Sequence, residues 1–209
     1  MVERGLFLVL DGVDGAGKST QARLLGEWLQ SIGNQVVSLR DPGGTWLGEK
    51  LRAILLDPHS TLSMNAETLL YLASRSQLVA EHIRPALDRG DVVVCDRYEL
   101  STIVYQGVAG GVSTEAIRSA CALARGDCVP DWTGVLDMDP GSALDRETRE
   151  RDRIERRGAD YFERVRAGFR AEAAADAGRI TLIDASGSVE DVHQRIRSEV
   201  ERVLARRRA

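Results

Sequence analysis

Short apolar runs alternate along the 209-residue chain with longer segments in which apolar residues recur every three or four positions. The runs at 6–10, 35–39, 91–96, 134–138 and 179–184 predict five strands, the first of them buried on both faces. Leu24, Leu25, Trp28, Leu29 and Ile32 predict a helix opening near Lys18, and further helices are predicted over 47–56, 65–87 and 101–106. In the long segment, Leu69, Leu72, Leu78, Ile83 and Leu87 are the inward candidates, and Pro85 disturbs its last turn. Ser113 caps a helix reaching Ala124, and 143–175 is helical with an interruption near Gly158. Ser188 and Asp191 form a capping box for a final helix striped by Val192, Ile196, Val200 and Val203. Strand-helix alternation without a linker predicts one α/β domain over 1–209, a parallel five-stranded sheet with helices on both faces. Ligands of such sheets sit at the carboxyl edge, where Asp41, Asp96 and Asp184 all fall.

The first strand runs into Gly12-Val13-Asp14-Gly15-Ala16-Gly17-Lys18-Ser19, followed by Thr20. This matches the phosphate-binding pattern G-x-x-x-x-G-K-[ST] in its required context of strand, loop and helix N-terminus. Glycines let consecutive N–H groups turn inward toward anionic oxygens, and the helix end adds about half a positive charge. Lys18 is placed to reach the β- and γ-phosphates, and the Ser19 hydroxyl to ligate Mg2+. A nucleoside triphosphate site on a P-loop NTPase-type fold is the expectation.

Asp96 closes the third strand as a Walker B acid does, serving the magnesium shell or orienting an attacking group. Arg97 beside it can clamp a phosphate bidentately. Asp14 faces the same cavity from within the loop, serving a metal or sugar hydroxyl or simply shaping the turn. Residues 146–158 are nearly all charged. Such a run fits an exposed helix laced with ion pairs, or a small arginine-rich lid at about 143–158 that neutralises the transferring phosphoryl group and excludes water. Tyr71 and Arg75, four apart on one helix, suit a planar base, although a half-buried Tyr beside a snorkelling Arg fits the spacing equally.

A net charge of -4 argues against a general nucleic-acid partner. Cys95, Cys121 and Cys128 show no C-x-x-C spacing and read as buried, reduced thiols of a cytoplasmic protein. The N-terminal apolar run is too short for a membrane span or signal peptide.

Taken together, these segments resemble the bacterial thymidylate kinase family. The resemblance rests on the blocks at 12–20, Arg40-Asp41-Pro42-Gly43-Gly44-Thr45 with Glu49-Lys50-Leu51-Arg52, Asp96-Arg97-Tyr98 with Ser101-Thr102 and Tyr105-Gln106-Gly107, and Asp152-Arg153-Ile154-Glu155. It implies transfer of the γ-phosphoryl of Mg-ATP to dTMP, giving dTDP for dTTP synthesis, in a homodimer. By position it implies that Tyr71 stacks on thymine and Arg75 hydrogen-bonds its edge. Thr102 and Gln106 would line the base pocket, with Asp41, Pro42 and Ser101 beside it. Tyr105 would pack under the sugar, Asp14 would lie near its 3′-hydroxyl, and Arg52 and Arg97 would hold the acceptor phosphate. The phosphate loop carries no arginine, so the resemblance is to the lid-arginine subclass, with Arg149, Arg151 or Arg153 supplying the catalytic charge.

Three departures stand out: Asp11 and Asp41 where bacterial members usually have glutamate, and Tyr71 where phenylalanine is common. A same-fold kinase for another deoxynucleotide or a deoxynucleoside is the alternative. A nucleotide switch would need a guanine-reading Asn-Lys-x-Asp segment, which is missing.

Overall fold

The computed structural model describes residues 4–144 and 152–208. Five parallel strands, β1 (Leu6–Gly12), β2 (Val36–Arg40), β3 (Val92–Asp96), β4 (Trp132–Asp137) and β5 (Ile180–Asp184), form one sheet in the order β2-β3-β1-β4-β5. Between them run α1 (Lys18–Ser31), α2 (Trp46–Leu56), α3 (Met64–Leu78), α4 (Arg84–Asp88), α5 (Glu99–Thr102), α6 (Thr114–Arg125), α7 (Pro140–Leu144) and α8 (Ala159–Ala175); α9 (Val189–Arg208) closes the chain.

The continuous apolar reading of β1 has a direct structural cause: all seven of its residues are buried. Leu6, Leu8 and Leu10 point to a core with Leu25 and Leu29 of α1, Phe162 and Phe169 of α8, and Ile196 of α9. Phe7 and Val9 point to the opposite core with Leu78, Val79, Ile83 and Leu87. Period-two alternation thus fills two layers at once, and each fully buried leucine contributes about 1.5–3 kcal/mol. The edge strands β2 and β5 are only partly covered. A third cluster, Leu72, Ile103, Ile117 and Cys121, joins α3 to α6 beside the sheet.

Two elements differ from expectation. The long helix is broken by a π turn at Val79–Ile83 before α4. Pro85 has no N–H to offer and crowds the preceding turn, so the ladder is disturbed earlier than the proline itself. Leu69, expected inside, is 64% exposed. The second π turn, Ile103–Ala109, carries Tyr105 and Gln106, and both line the cavity described next. Of the segment expected to form a lid, 145–151 lies outside the described residues; α7 ends before it and α8 begins after Gly158.

Candidate active site

Side chains cap several helices: Thr45 accepts from Gly48, Ser63 from Ala66, Ser113 from Ala116, Asp139 from Ser142 and Ser188 from Asp191. Helix α1 is capped by Gly17 in the left-handed region, with no side-chain bond. Its first N–H groups therefore remain available to an anion. Gly15, with φ +77, has a second constraint: a Cβ there would lie 2.0 Å from the Ala143 carbonyl oxygen. Glycine is required for the conformation and for the close approach of α7 to the loop.

The loop forms one wall of a cavity of about 680 Å3. Asp14, Gly15, Ala16, Gly17, Lys18, Ser19 and Thr20 line it, while Gly12 and Val13 lie behind the surface. Lys18 is buried, and its Nζ donates to the Val13 carbonyl at 2.6 Å. Burial, then the Arg97 charge, lowers its pKa to about 8. Ser19 Oγ donates to Asp96 Oδ2 at 2.5 Å, bringing together the two residues expected to serve a metal.

At the centre sits Arg97, one strand-end residue beyond β3, with φ 69. Left-handed backbone in a residue with a Cβ costs roughly 1–2 kcal/mol and aims this side chain back across the sheet edge. Its guanidinium donates to Asp14, to Ser101 Oγ at 2.9 Å and to the Gly12 carbonyl at 3.2 Å, and lies 5.1 Å from the Tyr105 ring centroid. Burial opposes its charge, but Tyr105, Asp14, Asp11 and Asp96 together hold it well above its ordinary pKa. Asp14 also accepts from Tyr105 Oη at 2.9 Å. Asp11, fully buried, accepts from Ser101 N at 3.1 Å and from Ser101 Oγ at 2.6 Å. The shorter acid thus anchors the start of α5 beneath Arg97.

Beyond Arg97 the cavity is lined by Asp41, Pro42, Arg52, Tyr71, Arg75, Ser101, Thr102, Tyr105 and Gln106, every residue expected on the acceptor side. Arg52 donates to the Pro42 carbonyl at 3.0 Å, and burial, then Arg40, lowers its pKa. Arg75 is committed further than its spacing suggested. Its Nε donates to Asp41 at 2.6 Å, and its Nη2 to Thr102 Oγ1 at 2.9 Å and the Tyr98 carbonyl at 3.1 Å. Tyr71 is half-buried, and burial raises its phenol pKa.

Two of the residues singled out from the sequence lie outside the cavity wall. Arg153 does not line the cavity: its Nε donates to the Leu55 carbonyl at 2.9 Å and its Nη2 lies 2.6 Å from Glu67. Asp184, at the strand edge, is exposed and accepts from Ser186, leaving the cavity wall to Ala185, Gly187, Ser188, Val189 and Val192. Arg149 and Arg151 lie outside the described residues. The wall after β5 was not identified from sequence, because small and apolar residues there carry no pattern beyond the cap of α9. Arg40 and Glu67 were also missed, since a lone charge on a strand or helix looks like surface until its partners are known.

An uncapped glycine loop at one end of a cavity and a cluster of guanidinium groups at the other define a P-loop phosphotransferase with room for a second phosphorylated ligand. The family model described as Thymidylate kinase matches residues 10–196. The chain is 46% identical over 204 residues to the thymidylate kinase of Symbiobacterium thermophilum, covering 97% of this chain and 95% of that one. With that of Pelotomaculum thermopropionicum it shares 45% over 205 residues, covering 96% and 95%. The crystal structure of thymidylate kinase from Ehrlichia chaffeensis superposes with a TM-score of 0.80 at 31% identity, covering 95% of this chain and 99% of that one. The chain belongs to the thymidylate kinase family.

Proposed function

We propose that this protein transfers the γ-phosphoryl group of Mg-ATP to the 5′-phosphate of dTMP, giving dTDP for dTTP synthesis. The observation that carries the reading is the position of Arg97. One guanidinium touches the phosphate loop through Asp14 and Gly12 and the acceptor side through Ser101 and Tyr105. Two nucleotides entering from opposite ends would meet there phosphate to phosphate.

The loop amides and Lys18 bind the donor's β- and γ-phosphates, while the small and apolar wall after β5 accepts its base. Arg52 and Arg97 hold the acceptor phosphate, a geometry that converts a bimolecular encounter into an oriented one. Asp14 keeps Arg97 aimed and lies near the sugar, with Tyr105 packed beneath it. Tyr71 stacks on the base, and Thr102, Gln106 and the remaining donor capacity of Arg75 line its edge.

The pairing of a hydroxyl and a carboxylate at Ser19 and Asp96 fits a hard divalent cation. Among the described residues no group of three or more His, Cys, Asp or Glu is placed to cage an ion, which suits Mg2+, a metal that keeps water and phosphate oxygens as ligands. Ser19 and Asp96 would hold it, and its charge would neutralise the phosphate oxygens. Arg149 and Arg151 are the lid arginines proposed to stabilise the transferring group; Arg153 is a tie between α2, α3 and the chain leading into α8.

A homodimer is part of this proposal. Leu69 on α3 and Leu123 on α6, 64% and 87% exposed, lie on two helices that pack together beside the acceptor pocket and support a face for a second copy. Sedimentation as a monomer at micromolar concentration would remove that part. Cytoplasmic location is likewise proposed; no described helix is long and apolar enough to cross a membrane. A coupled assay with ATP and dTMP, dUMP, dGMP or thymidine tests the activity. The expected result is the highest kcat/KM for dTMP; indifference among the four ends the reading.

A further inference from the structure

Glu67, on α3, is fully buried and lies behind the acceptor pocket. Two hydrogen-bond donors and a further guanidinium nitrogen converge on it. Gln106 Nε2 donates to Oε1 at 2.7 Å and Arg157 Nη2 to Oε2 at 2.6 Å, while Arg153 Nη2 lies 2.6 Å from that same oxygen. A buried carboxylate between two guanidinium groups offers only acceptors, so a neighbouring amide can approach it only nitrogen first. The other amide atom, Gln106 Oε1, accepts nothing from the described protein and is not sealed away from solvent. Gln106 itself is 98% covered and lines the cavity, so that oxygen has the cavity to face. The surrounding chain is fixed as well: Arg157 Nη1 donates to Tyr161 Oη at 2.7 Å, and Tyr161 Oη donates to the Tyr105 carbonyl at 2.8 Å. The π turn is thereby held at the residue before Gln106.

We propose that Glu67 is a positioning residue that sets the polarity of the base pocket. By holding the amino group of Gln106 it presents the carbonyl oxygen to the bound base, and so selects a pyrimidine whose edge offers a ring N–H. The inference rests on the dTMP reading above. Thymine and uracil carry a donor at N3; cytosine carries a bare acceptor there, which would face another acceptor. Pockets built to hydrogen-bond one group reject the wrong partner far more strongly than pockets that measure only shape. Arg153 and Arg157 serve the same end, because they hold the carboxylate in place.

The test compares dTMP with dCMP for the wild-type enzyme and Glu67→Gln, with folding checked by circular dichroism and the KM for ATP measured alongside. A glutamine at 67 can both donate and accept, so the Gln106 amide is free to turn over. The kcat/KM ratio of dTMP to dCMP is expected to fall by about tenfold or more, mainly through KM, with the KM for ATP unchanged. A folded, active variant that keeps the wild-type ratio overturns the proposal and leaves the dTMP reading standing. A wild-type enzyme that turns over dTMP and dCMP equally overturns both. A second measurement needs no change at position 67. The side-chain amide resonance of Gln106, assigned by its loss in Gln106→Met, is expected to be deshielded and slow to exchange with and without dTMP. Exchange at the rate of a solvated amide in both states overturns the proposal.

Discussion

Arg75 and Asp41 form an ion pair at 2.6 Å in which the two side chains are 1% and 0% exposed. The arginine is therefore a structural counter-charge as well as part of the cavity wall. Removing one partner of such a pair strands the other in a low-dielectric interior, at a cost of roughly 3–5 kcal/mol. Arg75→Met is expected to lower stability by that amount in a urea titration. Arg75→Met combined with Asp41→Asn is expected to recover much of the loss while dTMP binding stays weak. If the double variant is no more stable than the single one, the pair is not the source of the effect.

Lys18 has a pKa lowered to about 8, first by burial and then by Arg97. Phosphates entering beside it favour the charged form, so ATP binding is expected to be accompanied by proton uptake that grows as pH rises above about 8. Calorimetry in buffers of different ionisation enthalpy measures this directly. Heats that do not depend on the buffer at about pH 9 would contradict it.

The same shift has a consequence for folding. The folded pKa lies below the unfolded value, so the unfolded state holds this proton more tightly. The resulting penalty, on the order of 3 kcal/mol, is present in full below about pH 8 and shrinks as pH rises toward the unfolded pKa. Lys18→Met should therefore abolish turnover yet melt no lower than the wild type at neutral pH. A substantial loss of thermal stability would show that the buried ammonium is better compensated than its surroundings indicate.

Arg97 holds Asp14, a carboxylate that lines the cavity beside the phosphate loop. Arg97→Ala should abolish turnover and also weaken ATP binding, because Asp14 loses the guanidinium that balances much of its negative charge. Asp14→Asn in the same chain should restore ATP affinity without restoring activity. The φ of 69 at this position adds a backbone test. Arg97→Gly is expected to be more stable than Arg97→Ala by about 1 kcal/mol, since glycine removes the left-handed strain. Equal stability would argue against that strain.

The three lid-region arginines should separate by mechanism. Arg149→Ala and Arg151→Ala are expected to lower kcat more than they raise either KM, the pattern of an interaction made in the transition state. Arg153→Ala should instead lower stability, because it releases the Leu55 carbonyl and one neighbour of buried Glu67. A normal melting temperature combined with a kcat loss at 153 would return that residue to the chemistry.

Sequence by itself determined the elements that depend on local order. The all-apolar run of β1 requires burial on both faces, and a glycine loop that leads straight into a helix makes an anion site wherever it occurs. The caps at Ser113 and Ser188 are satisfied within three residues of chain, so they were legible without a fold. That the residues expected on the acceptor side line one cavity was legible because their blocks are distinctive, although their partners were not. Tertiary structure decided which charges meet. Asp41 and Arg75 are 34 positions apart, Ser19 and Asp96 are 77, and Glu67 and Arg157 are 90. A charged residue looks alike in sequence whether it faces water, a ligand or a buried counter-ion, because its energy depends on neighbours that only chain crossovers bring within a few ångströms.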